Sequence, residues 1–239
     1  MNEFRDLADD CADLSYSPLL RAAQLTLQYA QDNGSIGLTQ TGAFKRVFVH
    51  WAAEHFDWPG MGKDELFAVS KVLNEYDFPP LEMLHFILVR RKLARHYKGT
   101  FRATKRGAEL VKSPAALFAE VIPFFVFEID HAAYSRFSDT PLGSWDVWLN
   151  VLNVEVEGGA STRQLYEVFY GVADDDPSGW HELSAFNNCV LKPLSWSGLL
   201  GEVKQERQRI GESQYFKTPL WRSALQLDTD DVLKPTKLH

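Results

Sequence analysis

The sequence predicts a mainly α-helical protein of the α+β class, in which two helical units each end in a small β-hairpin. Apolar residues recur at helical spacing over most of the chain, which is the pattern of amphipathic helices. Between Phe78 and Lys112, a helix, a short strand, a glycine turn, a second strand and a new helix follow one another. A similar order recurs between Trp180 and Leu225, which indicates an internal repeat.

The first part of the chain carries helix start and stop signals. Ser17-Pro18 places an N-cap before a proline at the first helical position, and Asn33-Gly34 ends the helix that follows. A third helix is predicted over about Lys63–Glu75. The second helix is expected to be capped by Thr39 or Thr41 and to turn three residues inward: Val47, Phe48 and Trp51.

The central segment has the clearest pattern. Pro79 and Pro80 favour the first turn of a helix, where a backbone N–H is not needed. Gly99 supplies a tight turn, because a positive φ costs glycine little. Thr104 is expected to cap the next helix, since its hydroxyl can accept from a free backbone N–H. The two strands are predicted at Leu93–Lys98 and Phe101–Ala103.

The second part of the chain repeats these signals. Ser113-Pro114 begins a helical connector that is expected to reach about residue 135. Further helices are predicted from Ser144, from Ser161 or Thr162 to Tyr170, and from Trp180 to about Lys192, where Pro193 should kink or end the last one. The second hairpin is predicted from the strands Leu199–Val203 and Gln214–Lys217 around a polar turn, Gln205–Gly211.

The repeat can be aligned on two threonines. Thr218 stands where Thr104 stands, as the cap of a closing helix that is expected to contain Leu225. Trp221 falls where Gly107 falls, so the match is incomplete. With Asp139–Gly143 (DTPLG) as the linker, the predicted parts are an acidic lead-in (1–16), a first domain with a helical extension (17–138), a second domain (144–228) and a C-terminal tail (229–239).

Two resemblances follow from these motifs. The run LARHYKGTFRATKRGAEL resembles the wing and closing helix of winged helix-turn-helix proteins, over Ile36–Lys112 and more loosely over Trp145–Leu227. This resemblance implies tandem winged-helix-like domains. The pattern LTQTGAFKRVFV, followed by DFPPLEMLHFILVRRKLARHYKG, also resembles a group of uncharacterised bacterial proteins, which implies a fold but no particular chemistry. Winged helices include both DNA-binding and protein-interaction modules, so the fold does not decide between them.

Charge is distributed unevenly along the chain. The whole chain has a formal charge of −7, yet the segment 90–112 has nine basic residues and Glu109 as its one acid. A basic hairpin on an acidic body can attract phosphate. The alternative is a solvated basic face that pairs with acids elsewhere in the fold. The predicted phosphate contacts are Arg95, Lys98, Arg102, Lys105 and Arg106.

Base reading is a separate question from phosphate binding. The helix before the first hairpin is apolar almost all round, whereas a helix that reads bases presents polar side chains to the major groove. The corresponding helix of the second unit is more polar. The hypothesis is that its polar side chains contact the major groove of DNA, and the alternative is that they form an ordinary solvated helix face. The predicted groove contacts are Asn187, Asn188 and Lys192.

Composition excludes several classes of protein. The longest apolar run, at about 121–127, is too short to span a membrane, and the acidic N-terminus is not a signal peptide. Cys11 and Cys189 are far apart and fit no metal spacing, so a reduced cytoplasmic location is expected.

No signature of catalysis is present in the sequence. There is no glycine-rich phosphate loop, and His85 and His96 are expected on different elements. The acidic run Asp174–Asp176 is interpreted as solvated. The chain is therefore predicted not to be an enzyme and to hold no cofactor or metal. The leading expectation is association with duplex DNA, as in a transcriptional regulator; the alternative is a scaffold that binds another protein or itself, with its basic wing paired internally.

Overall fold

The computed structural model describes residues 3–134, 139–171, 177–203 and 212–233. The chain divides into two compact units. The N-terminal unit comprises Leu7–Phe125, and the C-terminal unit joins the first residues, up to Asp6, to the chain from Val126 onward. The boundary between the units therefore lies before Asp139–Gly143, the segment in which the sequence predicts a linker.

The described residues are mainly helical, with small antiparallel sheets, which confirms the predicted α+β class. The strands are β1 (Glu3–Phe4), β2 (Ile36–Gly37), β3 (Ala94–Tyr97), β4 (Thr100–Ala103), β5 (Ala160–Ser161), β6 (Leu200–Val203), β7 (Gln214–Lys217) and β8 (Leu225–Gln226). The α-helices are α1 (Pro18–Asp32), α2 (Arg46–His55), α3 (Lys63–Val69), α4 (Pro79–Arg90), α5 (Lys105–Leu110), α6 (Pro114–Pro123), α7 (Trp145–Glu155), α8 (Thr162–Tyr170), α9 (Pro177–Phe186), α10 (Lys192–Trp196) and α11 (Pro219–Ala224). None of these helices is both long and apolar enough to cross a bilayer.

The N-terminal unit holds a three-stranded sheet in the order β2-β4-β3. Phe101 of β4 lies at its centre, between Ile36 and His96, and is fully buried. A two-residue turn joins β3 to β4, with φ of 49° at Lys98 and 70° at Gly99. Positive φ at both positions is typical of the two-residue turns whose twist matches that of an antiparallel pair.

Helix caps in this unit follow the predicted signals. The Ser17 hydroxyl accepts from the backbone N–H of Leu20, and Ser113 caps α6 in the same way. The Thr104 hydroxyl accepts from the backbone N–H of Gly107 at 3.1 Å. Each contact satisfies an N–H that has no partner within its helix. The start sites predicted for α1, α5 and α6 are confirmed.

The predicted start of α2 is wrong. The helix begins only after Lys45, with no side-chain cap, because the Thr39 hydroxyl instead accepts from the backbone N–H of Ala43. Of the residues predicted to turn inward, Phe48 is buried, Trp51 is half-buried and Val47 is 77% exposed, and the buried face is completed by Val49 and Ala52.

The third helix is shorter than predicted and does not include Glu75. It ends at Val69, and a separate 3₁₀ turn follows at Glu75–Asp77. The backbone N–H of Asn74 donates to the Asp77 carboxylate at 2.8 Å, and this cap begins the new turn. Glu75 is thereby placed in the interior, where it is only 4% exposed.

The C-terminal unit has a second three-stranded sheet, in the order β5-β7-β6. Tyr215 takes the central place that Phe101 has in the first sheet. The aligned threonines also make the same contact: the Thr104 hydroxyl donates to the Lys92 carbonyl, and the Thr218 hydroxyl donates to the Gly198 carbonyl. The two units thus share strand order and the contact that begins the closing helix.

Two predicted helix ends in this unit need correction. The helix predicted to end near Lys192 continues to Trp196, because a π-helical turn at Asn187–Leu191 precedes α10 and places Pro193 in its first turn, where no N–H is needed. Leu225 lies outside the closing helix, since α11 ends at Ala224 and Leu225 pairs with Phe4 in a small sheet. The predicted turn Gln205–Gly211 and the acidic run Asp174–Asp176 lie outside the described residues.

A buried asparagine organises the core of the C-terminal unit. Asn153 is 1% exposed, and its Oδ1 accepts from Nε1 of Trp221 at 2.9 Å. Its backbone carbonyl accepts from Nζ of Lys217 at 2.7 Å. The large Trp221 ring therefore fills the core at the position where the first unit has Gly107.

Candidate nucleic-acid interface and histidine pocket

The outer face of the β3–β4 hairpin gathers three cations around one aromatic ring. Arg95 and Arg102 are partners across the two strands, and Tyr97 shares their face because strand side chains alternate. Both guanidinium groups and the Lys98 ammonium lie 5.3 to 5.6 Å from the centre of the Tyr97 ring. This distance permits cation–π attraction. We call these four residues the basic hairpin face.

The cations of the basic hairpin face are not neutralised by nearby acids. Across the described ranges, none of the three has a carboxylate oxygen within 4.0 Å. The one hydrogen bond from their side chains in these ranges runs from Nε of Arg102 to the Thr100 hydroxyl at 3.2 Å. Their charges therefore face solvent.

The other two predicted phosphate contacts differ from each other. Arg106 forms an ion pair with Glu120, and its guanidinium also donates to the backbone carbonyl of Arg91. Arg91 pairs with the same glutamate, from its Nε to Oε1 at 2.7 Å. Lys105 is exposed at the start of α5, without an ion pair in the described residues. The predicted set therefore divides into solvated cations and one, Arg106, that is already paired.

The exposed face of α4 does not resemble a base-reading surface. After the exposed Pro79 at its start, the exposed residues of α4 recur at four-residue spacing and are one acid, one phenyl group and one cation: Glu82, Phe86 and Arg90. Phe86 is 44% exposed. Most of the remaining side chains of α4 are buried, as the apolar pattern predicts.

The predicted groove contacts of the C-terminal unit are engaged within the protein. The Asn187 Oδ1 accepts from the Tyr215 hydroxyl at 2.9 Å. Asn188 accepts from Nζ of Lys192 at 3.1 Å and donates to the Ser184 hydroxyl at 3.2 Å. All three predicted residues are partly buried on or beside the π-helical turn. Asn188 and Lys192 therefore bond each other, and the Asn187 oxygen bonds Tyr215.

A buried glutamate and two histidines form a second polar site, on the inner side of the same hairpin. The Glu75 carboxylate accepts the backbone N–H of Phe44 and lies 2.6 Å from Nδ1 of His85. Nε2 of His85 lies 2.7 Å from Nε2 of His96. The His85 ring stacks on Phe44 with the ring centres 4.0 Å apart. We call Glu75, His85 and His96 the glutamate–histidine cluster.

The cluster lies beside a pocket of about 440 Å³. His96 extends from β3 toward this pocket, and Phe86 and Arg90 of α4 line another side. Burial, followed by the nearby His85 ring, lowers the pKa of His96 below its ordinary value. The full lining is Thr41, Gly42, Ala43, Glu75, Tyr76, Glu82, His85, Phe86, Val89, Arg90 and His96.

The sequence prediction placed the two histidines on different elements, which is correct, but did not bring them together. They meet because β3 folds back along α4 after the turn at Arg91 and Lys92. The sequence also predicts Glu75 at the end of a helix, whereas it lies in a buried turn. One feature of the sequence does indicate a buried polar site: His85 is a polar residue in an otherwise apolar stretch of the helix.

The C-terminal unit has its own pocket, of about 540 Å³, whose phenols are already engaged. The Tyr166 hydroxyl donates to Glu182, and the Tyr170 hydroxyl donates to the Leu142 carbonyl at 2.7 Å. Cys189 is buried nearby, and burial raises the pKa of its thiol to about 11, which makes it a poor nucleophile at neutral pH. No three histidine, cysteine or acidic side chains of the described ranges are placed to share a metal ion.

Removing the Glu75 carboxylate is expected to destabilise the N-terminal unit by about 2 kcal/mol, because the Phe44 N–H and the His85 ring would lose their acceptor in the interior. Urea denaturation of Glu75→Ala would measure this loss. The matched control is Glu82→Ala, which removes an exposed carboxylate from the same pocket and should change stability by less than about 0.5 kcal/mol. Equal losses in the two variants would contradict this account of Glu75.

Comparison with known proteins gives two family matches and one relative. A family described as the Y4jL N-terminal domain matches residues 15–116, and one described as the y4jL C-terminal domain matches residues 135–219. The uncharacterized protein y4jL of Sinorhizobium fredii (strain NBRC 101917 / NGR234) is 39% identical over 165 residues, which cover 69% of this chain and 75% of that protein. No solved structure matches the chain. The expected membership of an uncharacterised bacterial group is confirmed: the chain belongs to the y4jL family and carries both of its domains.

Proposed function

We propose that the N-terminal unit is a winged-helix domain that binds the phosphate backbone of duplex DNA through its β3–β4 hairpin. The observation that carries this proposal is the basic hairpin face, where three cations surround an exposed Tyr97 without a carboxylate partner in the described residues. Solvated lysine and arginine side chains are the groups that replace the counterions of DNA.

The order of elements supports the winged-helix part of the proposal. In the N-terminal unit, α1, β2, two or more helices and the β3–β4 hairpin follow one another, and β2 pairs with the second hairpin strand. The C-terminal unit has the same order, with β5 paired to β7. In such a domain the hairpin is the wing, a projection that can reach phosphates.

Binding through this face is expected to be largely independent of DNA sequence. Phosphate contacts position a protein but carry no direct sequence information. The exposed face of α4, which precedes the wing, carries the Glu82 carboxylate and the Phe86 phenyl group, with Arg90 as a hydrogen-bond donor at its end. The expected role is therefore to hold DNA, with any sequence preference supplied elsewhere.

The backbone at the hairpin turn supports a functional role for Lys98. Lysine has φ of 49° there, a left-handed conformation that asparagine adopts more readily. Lys98→Asn is therefore expected to stabilise the N-terminal unit by up to about 1 kcal/mol. The same variant should bind duplex DNA more weakly, because it removes one phosphate contact. Thermal melting and DNA titration of one preparation measure both effects, and unchanged DNA affinity would argue against Lys98 as a contact.

The phosphate backbone can be tested directly with modified DNA. The full chain is titrated against a random 20-base-pair duplex and against the same duplex with neutral methylphosphonate linkages, with fluorescence anisotropy as the readout. We expect binding to the natural duplex and a large loss of affinity for the neutral one, since the contacts are ionic. Equal affinity for both duplexes, or none for either, would overturn the proposal.

A second candidate function is protein interaction through the pocket face of the N-terminal unit. Tyr76 is 67% exposed and Phe86 is 44% exposed, and both line the pocket beside α4. Exposed aromatic side chains at a pocket are common in protein interfaces. Phe86→Glu discriminates between the candidates: it should abolish self-association or partner capture while leaving DNA affinity within about twofold, because it lies outside the basic hairpin face.

A further inference from the structure

The contact between the two imidazoles limits how many protons the glutamate–histidine cluster can hold. A carboxylate only accepts, so Nδ1 of His85 carries the hydrogen that it donates to Glu75 at 2.6 Å. At 2.7 Å the two Nε2 atoms can share one hydrogen, because two bare lone pairs repel and two N–H groups collide. The hydrogen bond between the two Nε2 atoms can therefore form when both rings are neutral or when one ring is charged. It cannot form when both rings are charged.

The groups around the cluster give little compensation for two positive rings. The charged groups that face the pocket are Glu75 from the 3₁₀ turn, and Glu82 and Arg90 from α4. Among the described residues that line the pocket, Tyr76 adds a phenol and the loop Thr41–Ala43 adds no titratable group. The Glu75 carboxylate is already committed to the Phe44 N–H and to His85. The opposite face of the hairpin adds further positive charge, from the basic hairpin face.

The two rings differ in their freedom to move. His85 is buried on α4 and is held between Glu75 and the Phe44 ring. His96 is only partly buried on β3, and the Cα partner that faces it across the hairpin is Phe101. Repulsion between two charged rings would therefore displace His96 and the strand that carries it.

The sign of the pH effect follows from the same geometry. Burial and the His85 ring lower the pKa of His96, so the folded chain binds a proton there less tightly than the unfolded chain. This difference in pKa stabilises the folded chain at pH values above the unfolded histidine pKa of about 6.5. The stabilisation is lost as the pH falls through the lower pKa of the folded chain. Acidification below about pH 6.5 should act first on the hairpin.

We propose that the glutamate–histidine cluster is a proton-operated switch, in which charging of both imidazoles releases β3 from α4 and withdraws the basic hairpin face from DNA. The first half of this proposal concerns the hairpin alone. The second half rests on the proposed DNA-binding function. The inner face of the hairpin would then control what its outer face binds.

The first half is tested by hydrogen exchange of the full chain at pH 7.5 and pH 5.0, with strands β6 and β7 as the internal reference for the intrinsic pH dependence. Protection of the β3–β4 amides, relative to that reference, should fall at least about fivefold on acidification. His96→Gln should abolish the fall, whereas His55→Gln should retain it, because His55 lies outside the cluster, where it bonds the Trp51 carbonyl and stacks on the Trp51 ring. Equal protection at both pH values, or an unchanged fall in His96→Gln, would overturn the switch.

The second half is tested by duplex affinity of the same proteins at pH 7.5 and pH 5.5. His96→Gln should match the unsubstituted chain at pH 7.5 and bind at least about fivefold more tightly than it at pH 5.5. If the hairpin opens in the exchange experiment but DNA is bound at neither pH, the proposed function fails and the hairpin switch stands. If DNA is bound with the same pH dependence in both proteins, the link between the switch and binding is wrong.

Discussion

Reversal of the three cations of the basic hairpin face, in the variant R95E/K98E/R102E, is expected to weaken binding to duplex DNA by at least about 100-fold at 50 mM salt. Each reversal removes a proposed phosphate contact and adds a negative charge that would repel the DNA backbone. All three side chains are solvated, and those of Arg95 and Lys98 make no hydrogen bond within the described residues, so the change should leave the fold intact. Fluorescence anisotropy with a labelled duplex measures the affinity, and thermal melting checks the fold.

A matched control separates local contact from overall charge. The variant K45E/K71E/K112E changes the formal charge by the same amount at three exposed positions of the N-terminal unit that lie outside the β3–β4 hairpin. It should weaken binding by less than about tenfold, through long-range repulsion that salt screens. Similar losses in the two triple variants would mean that net charge, and not the hairpin, governs association.

Substitution of Gly107 by alanine is expected to destabilise the N-terminal unit by at least about 3 kcal/mol. A Cβ atom at this position would lie 2.0 Å from the backbone carbonyl oxygen of Leu93. Real atoms cannot approach so closely, and the obstacle is backbone that cannot rotate away. Helix α5 would have to leave β3, and with it the Thr104 contacts that join the hairpin to the closing helix. Urea denaturation monitored by far-UV circular dichroism gives the change in free energy.

Gly158→Ala provides the control for that measurement. Gly158 has no positive φ, and a Cβ atom there would meet nothing within 4 Å. Its free energy of unfolding should stay within about 0.5 kcal/mol of the unsubstituted chain. If the free energy of unfolding of Gly107→Ala equals that of Gly158→Ala, the distance between α5 and the Leu93 carbonyl is larger than described here.

Local features of the fold could be predicted from the sequence because their causes are local. A serine or threonine before a helix signals the cap that satisfies free N–H groups, and four of these caps form, at Ser17, Thr104, Ser113 and Ser161. The first hairpin lies within one residue of its predicted strands, because Gly99 and its neighbours determine the turn.

Features that depend on distant contacts could not be predicted in this way. The apolar run predicts Val47 inside, but in α2 this residue lies on the solvent side. The meeting of His85 and His96 depends on how β3 folds back along a buried helix. Neither propensity nor periodicity describes such packing.

Charge could be counted from the sequence, but ion-pair partners could not. Arg95 and Arg106 both belong to the basic segment, and the sequence alone does not distinguish a solvated arginine from a paired one. In the structure, Arg106 pairs with Glu120, which lies one helix further along the chain, while Arg95 has a tyrosine ring and no carboxylate in the described residues. The solvated hairpin cations are thus a narrower set than the sequence indicates.

The salt dependence of DNA affinity tests the central claim most directly. Three phosphate contacts predict that a plot of log Kd against log salt concentration for a random duplex has a slope of about 3, since each contact releases about 0.9 counterion. The slope should fall toward zero in R95E/K98E/R102E and remain about 3 in K45E/K71E/K112E. No binding at 25 mM salt, or a slope that is the same in all three proteins, would contradict phosphate binding by the basic hairpin face.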